Sequence, residues 1–146
     1  MIRKIRAGDR AVYRRMAHDF YHSDAAEHPI PDAYLDATFD ELMRSDTYAA
    51  AYILEDDGRT AGYALLARGF SQEAGGPVIW LEELYVESDC RGCGLGHEFF
   101  DFLKSGGAGP YRRLRLEVEE NNRRAVSLYQ RMGFTELPYR QMIRDK

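Results

Sequence analysis

Between residues 78 and 103 the apolar pattern changes from that of a strand to that of a helix across a glycine-rich loop. Apolar residues dominate Val78 to Val86, and the loop RGCGLG follows at 91–96. From Leu95 to Leu103 the large apolar side chains recur at helical spacing, so a helix is predicted to begin within the glycines. The segment SGGAGP at 105–110 ends this helix. A strand, a loop and an amphipathic helix in this order indicate a sheet with helices packed on it.

A second strand and a second helix follow in the same order. The strand is indicated by the alternating apolar residues Leu114, Leu116 and Val118. The helix is indicated by an apolar stripe of Ala125, Leu128, Tyr129 and Met132, and Gly133 is placed to cap its end. Two short strands are predicted beyond it, at 134–137 and 139–143, around Pro138. Strands separated by a helix imply some parallel pairing near the glycine loop.

The first 75 residues predict one strand, two helices and a hairpin. The strand covers 2–6, and Asp9 is placed to cap a helix whose apolar stripe includes Met16 and Phe20. The second helix has an apolar side formed by Leu35, Phe39, Leu42 and Met43. Strands at 48–54 and 60–67 flank Asp57-Gly58, a strong hairpin signal. The whole pattern predicts an α/β fold of the mixed α+β kind, in a single domain that spans 1–146.

Composition and charge limit the class of function. Apolar residues make up 45% and charged residues 30% of the chain, an ordinary globular mixture. The chain opens without a signal-peptide pattern, and its longest uncharged apolar stretch, 48–54, is too short to cross a membrane. We therefore expect a cytoplasmic protein with no membrane partner. The net charge of −4 argues against a nucleic-acid partner, because nucleic-acid binding needs a basic face.

Two patterns suggest metal or redox chemistry, and neither is complete. Cys90 and Cys93 form a C-x-x-C, but a structural zinc site needs four ligands and no second cysteine pair exists. A thiol-based redox or metal protein is kept as an alternative function. His18 and His22 have the spacing of the zinc-protease motif H-E-x-x-H, but Asp19 replaces its glutamate and no third ligand is evident. We expect no metal.

The glycine loop indicates an anion site. Unpaired backbone N–H groups and the helix dipole attract a phosphate at the start of a helix, and glycine lets the backbone come close to it. The loop does not match the dinucleotide pattern G-x-G-x-x-G, because residue 97 is His97. It does not match the P-loop either, because no Lys-Ser or Lys-Thr follows.

The series Arg91-x-x-Gly94-x-Gly96, after a strand that ends at 84–86, resembles the acetyl-CoA motif of the GNAT-superfamily N-acetyltransferases. The stretch NRRAVSLYQRMGF at 122–134 is similar to the family pattern N-x-x-A-x-x-L-Y-x-x-x-G-F. The resemblance covers 79–136, and WLEELYVESDCRGCGLG at 80–96 also looks like the diamine acetyltransferase branch. It implies a mostly antiparallel central sheet with one splayed parallel strand pair, flanked by helices. It also implies acetyl-CoA as the co-substrate.

The resemblance assigns coenzyme A binding to the end of the strand, the glycine loop and the last helix. The pyrophosphate is expected on the N–H groups of 92–96, with Arg91 adding positive charge. The pantetheine amides are expected to pair with the free backbone edge of 84–86, like an extra strand. The complete set of expected residues is Leu84, Tyr85, Val86, Arg91, Gly92, Cys93, Gly94, Leu95, Gly96, Asn122 and Tyr129.

The reaction that the resemblance implies is direct transfer of an acetyl group to a primary amine in a ternary complex. An amine with a pKa of about 10 must lose a proton before it attacks, and Glu82 is the expected base, acting through a water. Tyr129 is the expected acid for the leaving thiolate, and the Val86 N–H is a candidate oxyanion donor. Strand alternation turns Glu83 to the opposite face from Glu82. Which of the two glutamates faces the site is left open, with Glu82 favoured by the branch likeness.

The acceptor is expected between the two N-terminal helices and the strand that bears Glu82. Its candidate residues are Tyr21, His22, Glu27, His28, Tyr34 and Glu83. The acidic residues among them favour a cationic small molecule, while a protein N-terminus or a lysine stays open. Homodimers are common in the family. A non-catalytic module that binds coenzyme A or a nucleotide through the same loop is the alternative function.

Overall fold

The computed structural model describes the whole chain, residues 1–146. Its strands are β1 (Ile2–Lys4), β2 (Ala49–Asp56), β3 (Arg59–Ser71), β4 (Gly76–Val86) and β5 (Arg113–Leu116). Its α-helices are α1 (Arg10–Tyr21), α2 (Asp32–Arg44), α3 (Leu95–Lys104) and α4 (Arg123–Arg131). Short 3-10 helices lie at Ala7–Asp9 and Ser88–Cys90. None of the helices combines the length and the apolar character needed to cross a membrane.

The five strands form one sheet in the order β1-β2-β3-β4-β5. Neighbours are antiparallel except for β4 and β5, which run parallel from Val78 opposite Arg113 to Leu81 opposite Leu116. The helix α3 makes the crossover between these two strands. The predicted fold class is confirmed: a mixed, mostly antiparallel sheet with one parallel pair, flanked by helices.

Helices cover both faces of the sheet. On one face α1 and α2 pack against alternate residues of the central strands, such as Ile53 and Tyr63. On the other face α3 packs against the residues in between, such as Tyr52 and Ala64. The hairpin between β2 and β3 turns at Asp57 and Gly58, whose φ angles of 49° and 77° are those of the turn that this sequence pair predicts.

Two predictions about the ends of the chain are wrong. Beyond Gly133 the chain forms no strand, so the strands predicted at 134–137 and 139–143 are absent. Pro138 has no backbone N–H to donate, and Met142 and Ile143 are 94% and 88% exposed. The segment therefore buries too little apolar surface to offset the entropy of ordering a strand.

The second wrong prediction is that Asp9 caps α1. Asp9 precedes α1, but its carboxylate accepts hydrogen bonds from the Arg6 backbone N–H and the Arg3 guanidinium instead of capping that helix.

Candidate active site

β4 and β5 separate after four paired residues, and a cavity opens where they part. β4 continues beside β3 as far as Val86, whereas β5 ends at Leu116, two residues before the predicted end of that strand. The edge of β4 that faces β5 therefore has no strand partner over 82–86. The cavity has a volume of about 420 Å³. Its walls come from α1 and the loop after it, β4, β5 and the loop after it, and α4: Phe20, Ala25, Glu27, Leu81, Glu82, Leu84, Leu116, Glu117, Val118, Glu119, Asn122, Ala125 and Tyr129.

Glu82 lines this cavity because it is the extra residue of a β-bulge. Leu65 of β3 pairs with Glu83, and Leu66 pairs with Leu81, so Glu82 has no partner on β3. The bulge leaves Glu82 exposed towards the cavity and turns Glu83 to the face of α1 and α2. The cavity wall removes part of the hydration of this accessible carboxylate, and this partial desolvation, followed by the charges of Glu117 and Glu83, raises the pKa of Glu82. A raised pKa makes this carboxylate a stronger base.

All charged side chains that line the cavity are acidic. They are those of Glu27, Glu82, Glu117 and Glu119. The ion pairs of the protein engage other carboxylates, such as those of Glu55, Glu73 and Glu87. The negative charge around the cavity is therefore not compensated by a neighbouring arginine or lysine. Such a site attracts a ligand that carries several positive charges.

The loop between β4 and α3 leaves its backbone accessible. Gly92 and Gly94 have φ angles of 83° and 87°, in the left-handed region that favours glycine. A Cβ atom added at Gly92, Gly94 or Gly96 would meet no atom within 4 Å. Because α3 begins at Leu95, the N–H groups of its first turn have no partner within the helix. The loop therefore offers backbone donors and free space, as a phosphate site requires.

The other residues of this loop have different surroundings. Leu95 is buried in the core beneath α3, so its backbone alone is available to a ligand. The Arg91 Nε donates a hydrogen bond of 3.0 Å to the carbonyl of Val86, which links the loop to the end of β4. Cys90 is buried and Cys93 is exposed. Burial and the Asp89 carboxylate raise the pKa of the Cys90 thiol, which disfavours the thiolate that redox or metal chemistry needs.

The position of α4 is fixed by caps at both ends. The Asn122 Oδ1 accepts a hydrogen bond of 3.2 Å from the backbone N–H of Ala125. At the other end Gly133 has a φ of 90°, and the Phe134 N–H donates to the carbonyl of Tyr129 at 3.0 Å. The predicted cap at Gly133 is therefore confirmed. These contacts account for the asparagine and the glycine of the motif through the geometry of the helix.

The half-buried Tyr129 lines the cavity and packs against the core. Its ring meets those of Phe100 and Phe134 edge-on, with centroid distances of 5.9 and 5.8 Å. Burial raises the pKa of its phenol, and no charged neighbour contributes to that rise. The phenol is therefore protonated at neutral pH and can donate a proton.

The sequence-predicted residues divide into those at the cavity and those away from it. Five line it together: Glu27, Glu82, Leu84, Asn122 and Tyr129. Tyr21 donates a hydrogen bond to the neighbouring Glu83. Tyr85 packs on the face of the sheet that α1 and α2 cover. Val86 and the residues of the glycine loop do not line the cavity. Three candidates for acceptor binding lie on the surface away from it: His22 is exposed and stacks on His18, His28 is exposed, and Tyr34 is 61% exposed.

Sequence reasoning missed several residues of the cavity wall. Phe20 and Ala25 lie at the end of α1 and just after it, and Glu117, Val118 and Glu119 follow β5. The signal for the second group was the run of glutamates in LEVEE at 116–120. Their position depends on where β5 leaves β4, which the apolar pattern does not specify.

A larger cavity, of about 660 Å³, lies between β5, α4 and the C-terminal segment. Tyr129 lines both cavities, Glu82 lines only the smaller one, and the glycine loop lines neither. The smaller cavity is the candidate active site, because it joins the unpaired edge of β4, the raised-pKa carboxylate and α4.

The sheet splays beside a glycine loop, with a carboxylate and a tyrosine at the gap. The chain matches the model of the acetyltransferase (GNAT) family over residues 11–134. It belongs to that family.

Two curated relatives are polyamine acetyltransferases by name. They are the probable spermine N(1)-acetyltransferase of Bacillus subtilis subsp. natto (strain BEST195) and the spermine/spermidine N(1)-acetyltransferase of Bacillus subtilis (strain 168). Each is 30% identical to this chain over 82 residues, which are 53% of this chain and 54% of the relative. The match thus spans about half the length of these relatives.

Solved structures share the fold over the whole chain. A possible acetyltransferase from Clostridium difficile 630 is 16% identical with a TM-score of 0.84, covering 100% of this chain and 97% of that one. The aminoglycoside N-acetyltransferase AAC(6')-Iy, solved in complex with CoA, is 19% identical with a TM-score of 0.78, covering 100% of this chain and 94% of that one. At these identities the likeness establishes the fold.

Proposed function

We propose that this chain transfers the acetyl group of acetyl-CoA to a primary amine of a small molecule that carries two or more positive charges. The observation that carries the proposal is the set of four unpaired carboxylates around a cavity with no basic side chain. One of them sits at the bulge where chemistry is expected, and the others can hold the remaining ammonium groups. The names of the two curated relatives, for spermine and spermidine, agree with this class of acceptor.

The co-substrate is assigned to the glycine loop and the unpaired edge of β4. The pyrophosphate accepts hydrogen bonds from the backbone of 92–96, where the glycines leave open space, and Arg91 adds a positive charge. The pantetheine amides pair with the backbone of Leu84, Tyr85 and Val86, which lacks a strand partner on that side. The thioester then lies in the gap, next to Glu82 and Tyr129.

The transfer is direct. Glu82 takes the proton of the ammonium group through a water, and the neutral nitrogen attacks the thioester carbonyl carbon. The Val86 N–H stabilises the negative oxygen of the tetrahedral species. The carbon–sulfur bond then breaks and the thiolate takes a proton from Tyr129. The nitrogen loses its second proton, which restores the Tyr129 phenol through water, and the acetyl group stays on the nitrogen as a neutral amide. Glu82 releases its proton to solvent. The products are the acetylated amine and coenzyme A, and one proton goes to solvent.

Turnover of acetyl-CoA against an amine panel tests the proposal. The panel contains spermine, spermidine, diaminobutane, butylamine and a peptide with a free N-terminus and one lysine. Mass spectrometry follows the acetylated product. We expect acetylation of the polyamines and diamine well above that of butylamine and the peptide. Binding of acetyl-CoA without acetylation of any amine would instead favour the non-catalytic module.

A further inference from the structure

Glu83 is a buried carboxylate whose two oxygens are both bound by tyrosines. It is 6% exposed and is the only charged residue of the chain that is buried. The Tyr21 hydroxyl donates to its Oε1 at 2.6 Å, and the Tyr63 hydroxyl donates to its Oε2 at 2.5 Å. Tyr21 is the last residue of α1, and Tyr63 lies in the middle of β3. A buried carboxylate is tolerated when charge-assisted hydrogen bonds replace its hydration.

The hydrogen bond from Tyr21 is the one that leaves the end of α1 for the sheet. The acceptor loop, defined here as 22–31 between α1 and α2, makes its hydrogen bonds within itself, to the last turns of α1 or to the first turn of α2. Ala25 and Glu27 of this loop line the candidate active site, as does Phe20 just before it. The position of these side chains relative to β4 therefore depends on Tyr21, on the ion pair between Arg15 of α1 and Glu87 just after β4, and on apolar packing.

Resting on the proposed function, we propose that Glu83 is a positioning residue: it fastens the end of α1, and with it the acceptor loop, to the strand that carries Glu82. Glu82 and Glu83 are neighbours on β4, and the bulge sends one to the cavity and the other to the tyrosines. The distance between the base and the acceptor loop is thus set through two adjacent residues. A loosened loop weakens amine binding and leaves acetyl-CoA binding intact, because the co-substrate lies on the other side of the gap.

Two variants, each lacking one of the phenol oxygens that bind Glu83, test whether this carboxylate fastens α1 to β4. Tyr21→Phe and Tyr63→Phe each remove one phenol from Glu83, but only Tyr21 belongs to α1. We expect Tyr21→Phe to raise the KM for the amine roughly tenfold to a hundredfold, the loss expected for one hydrogen bond to a charged group. The KM for acetyl-CoA should stay at the parent value. Tyr63→Phe should change the amine KM less than Tyr21→Phe does.

Hydrogen exchange gives a readout that needs no turnover, so it separates this proposal from the proposed function. Backbone amides of the acceptor loop should exchange faster in Tyr21→Phe than in the parent and in Tyr63→Phe. Equal loop exchange in the two variants overturns the proposal, even if the parent acetylates every polyamine. Faster loop exchange in Tyr21→Phe alone supports the proposal, even if no amine is acetylated and the proposed function fails.

Glu83→Gln adds a test of charge. Glutamine keeps the shape of the side chain but removes a negative charge next to Glu82. The groups that face Glu82 from the packed elements are Glu83 on β4, Tyr21 on α1, Glu27 in the acceptor loop, Glu117 and Glu119 after β5, and Tyr129 on α4. Without the negative charge of Glu83 the pKa of Glu82 should fall, so the acid limb of the pH profile of kcat/KM should move to lower pH. A limb at the parent pH means that the charge of Glu83 does not act on Glu82, whereas the connection between α1 and β4 is decided by the hydrogen exchange of Tyr21→Phe.

Discussion

Glu82 owes its place to a single extra residue in β4. Counted from Leu81, which faces α3, regular alternation would put Glu82 on the face of α1 and α2 and Glu83 on the face of α3. The bulge breaks this alternation and puts an acidic side chain at the point where β4 and β5 part. Its pKa is raised, so Glu82 loses its basic form as the pH falls through that raised value. The activity of the parent should fall with it.

Glu82→Gln removes the base and keeps the size of the side chain. We expect kcat/KM for the amine to fall by on the order of 100-fold near neutral pH, at the low end for general base catalysis. The deficit should shrink at high pH, because more of the amine is then already neutral. The measurement is kcat/KM against pH for parent and variant. A deficit that is constant with pH would show that Glu82 is not the base.

Tyr129→Phe tests the acid and keeps the ring between Phe100 and Phe134. We expect kcat to fall by about 100-fold, at the low end for acid catalysis, because a thiol with a pKa of about 8.5 is already a fair leaving group. The affinity for acetyl-CoA should change little, and high pH should not restore the rate. If the variant matches the parent at every pH, Tyr129 only packs in the core.

The glycine loop and α3 form the element that we assign to the pyrophosphate. Gly96 lies in the first turn of α3, where a Cβ atom would meet nothing within 4 Å and the φ angle is not positive. A substitution there therefore changes the binding surface without straining the backbone. Gly92 and Gly94 do not allow such a clean test, because their positive φ angles make any side chain unfavourable.

Gly96→Glu puts a side chain and a negative charge where the pyrophosphate is expected. We expect the affinity for coenzyme A, measured by calorimetry, to fall by at least about tenfold, from lost space and charge repulsion. Gly8→Glu is the matched control, since Gly8 is also open and has no positive φ, but lies before α1. Equal affinities of Gly96→Glu and Gly8→Glu for coenzyme A contradict the assignment of the loop.

The sequence identifies strands and helices better than it identifies how the strands pair with one another. The strand, loop and helix from 76 to 104 follow from periodicity and glycine positions, because these depend on neighbours along the chain. The bulge at Glu82 does not follow, since an extra residue leaves the apolar composition of β4 unchanged. The two C-terminal strands are absent for a related reason. The alternation at 134–143 predicts extended backbone, but strand formation also needs a neighbouring strand and a core against which the apolar side chains are buried.

Over the whole molecule, the net charge of −4 conceals an uneven distribution. Most carboxylates of the surface pair with nearby basic residues, whereas those of the cavity do not. The family resemblance favoured Glu82 at the site, and the expected position of the acceptor near the N-terminal helices made Glu27 a candidate. They did not predict Glu117 and Glu119, because these belong to the loop that diverges from β4, and that divergence is set by the tertiary fold. The acidic cavity is thus a property of the assembled sheet.

The selectivity for a diamine tests this account most directly. The quantity is the ratio of kcat/KM for diaminobutane to kcat/KM for butylamine, in the parent, in Glu119→Gln and in Glu120→Gln. Glu119 lines the cavity, whereas its exposed neighbour Glu120 does not, so the two variants lose the same charge at adjacent positions. We predict a ratio well above one in the parent, a ratio about two- to fivefold lower in Glu119→Gln, as for one exposed ion pair, and no change in Glu120→Gln. A parent that acetylates both amines equally, or equal ratios in the two variants, would contradict the acidic cavity as the site that selects the acceptor.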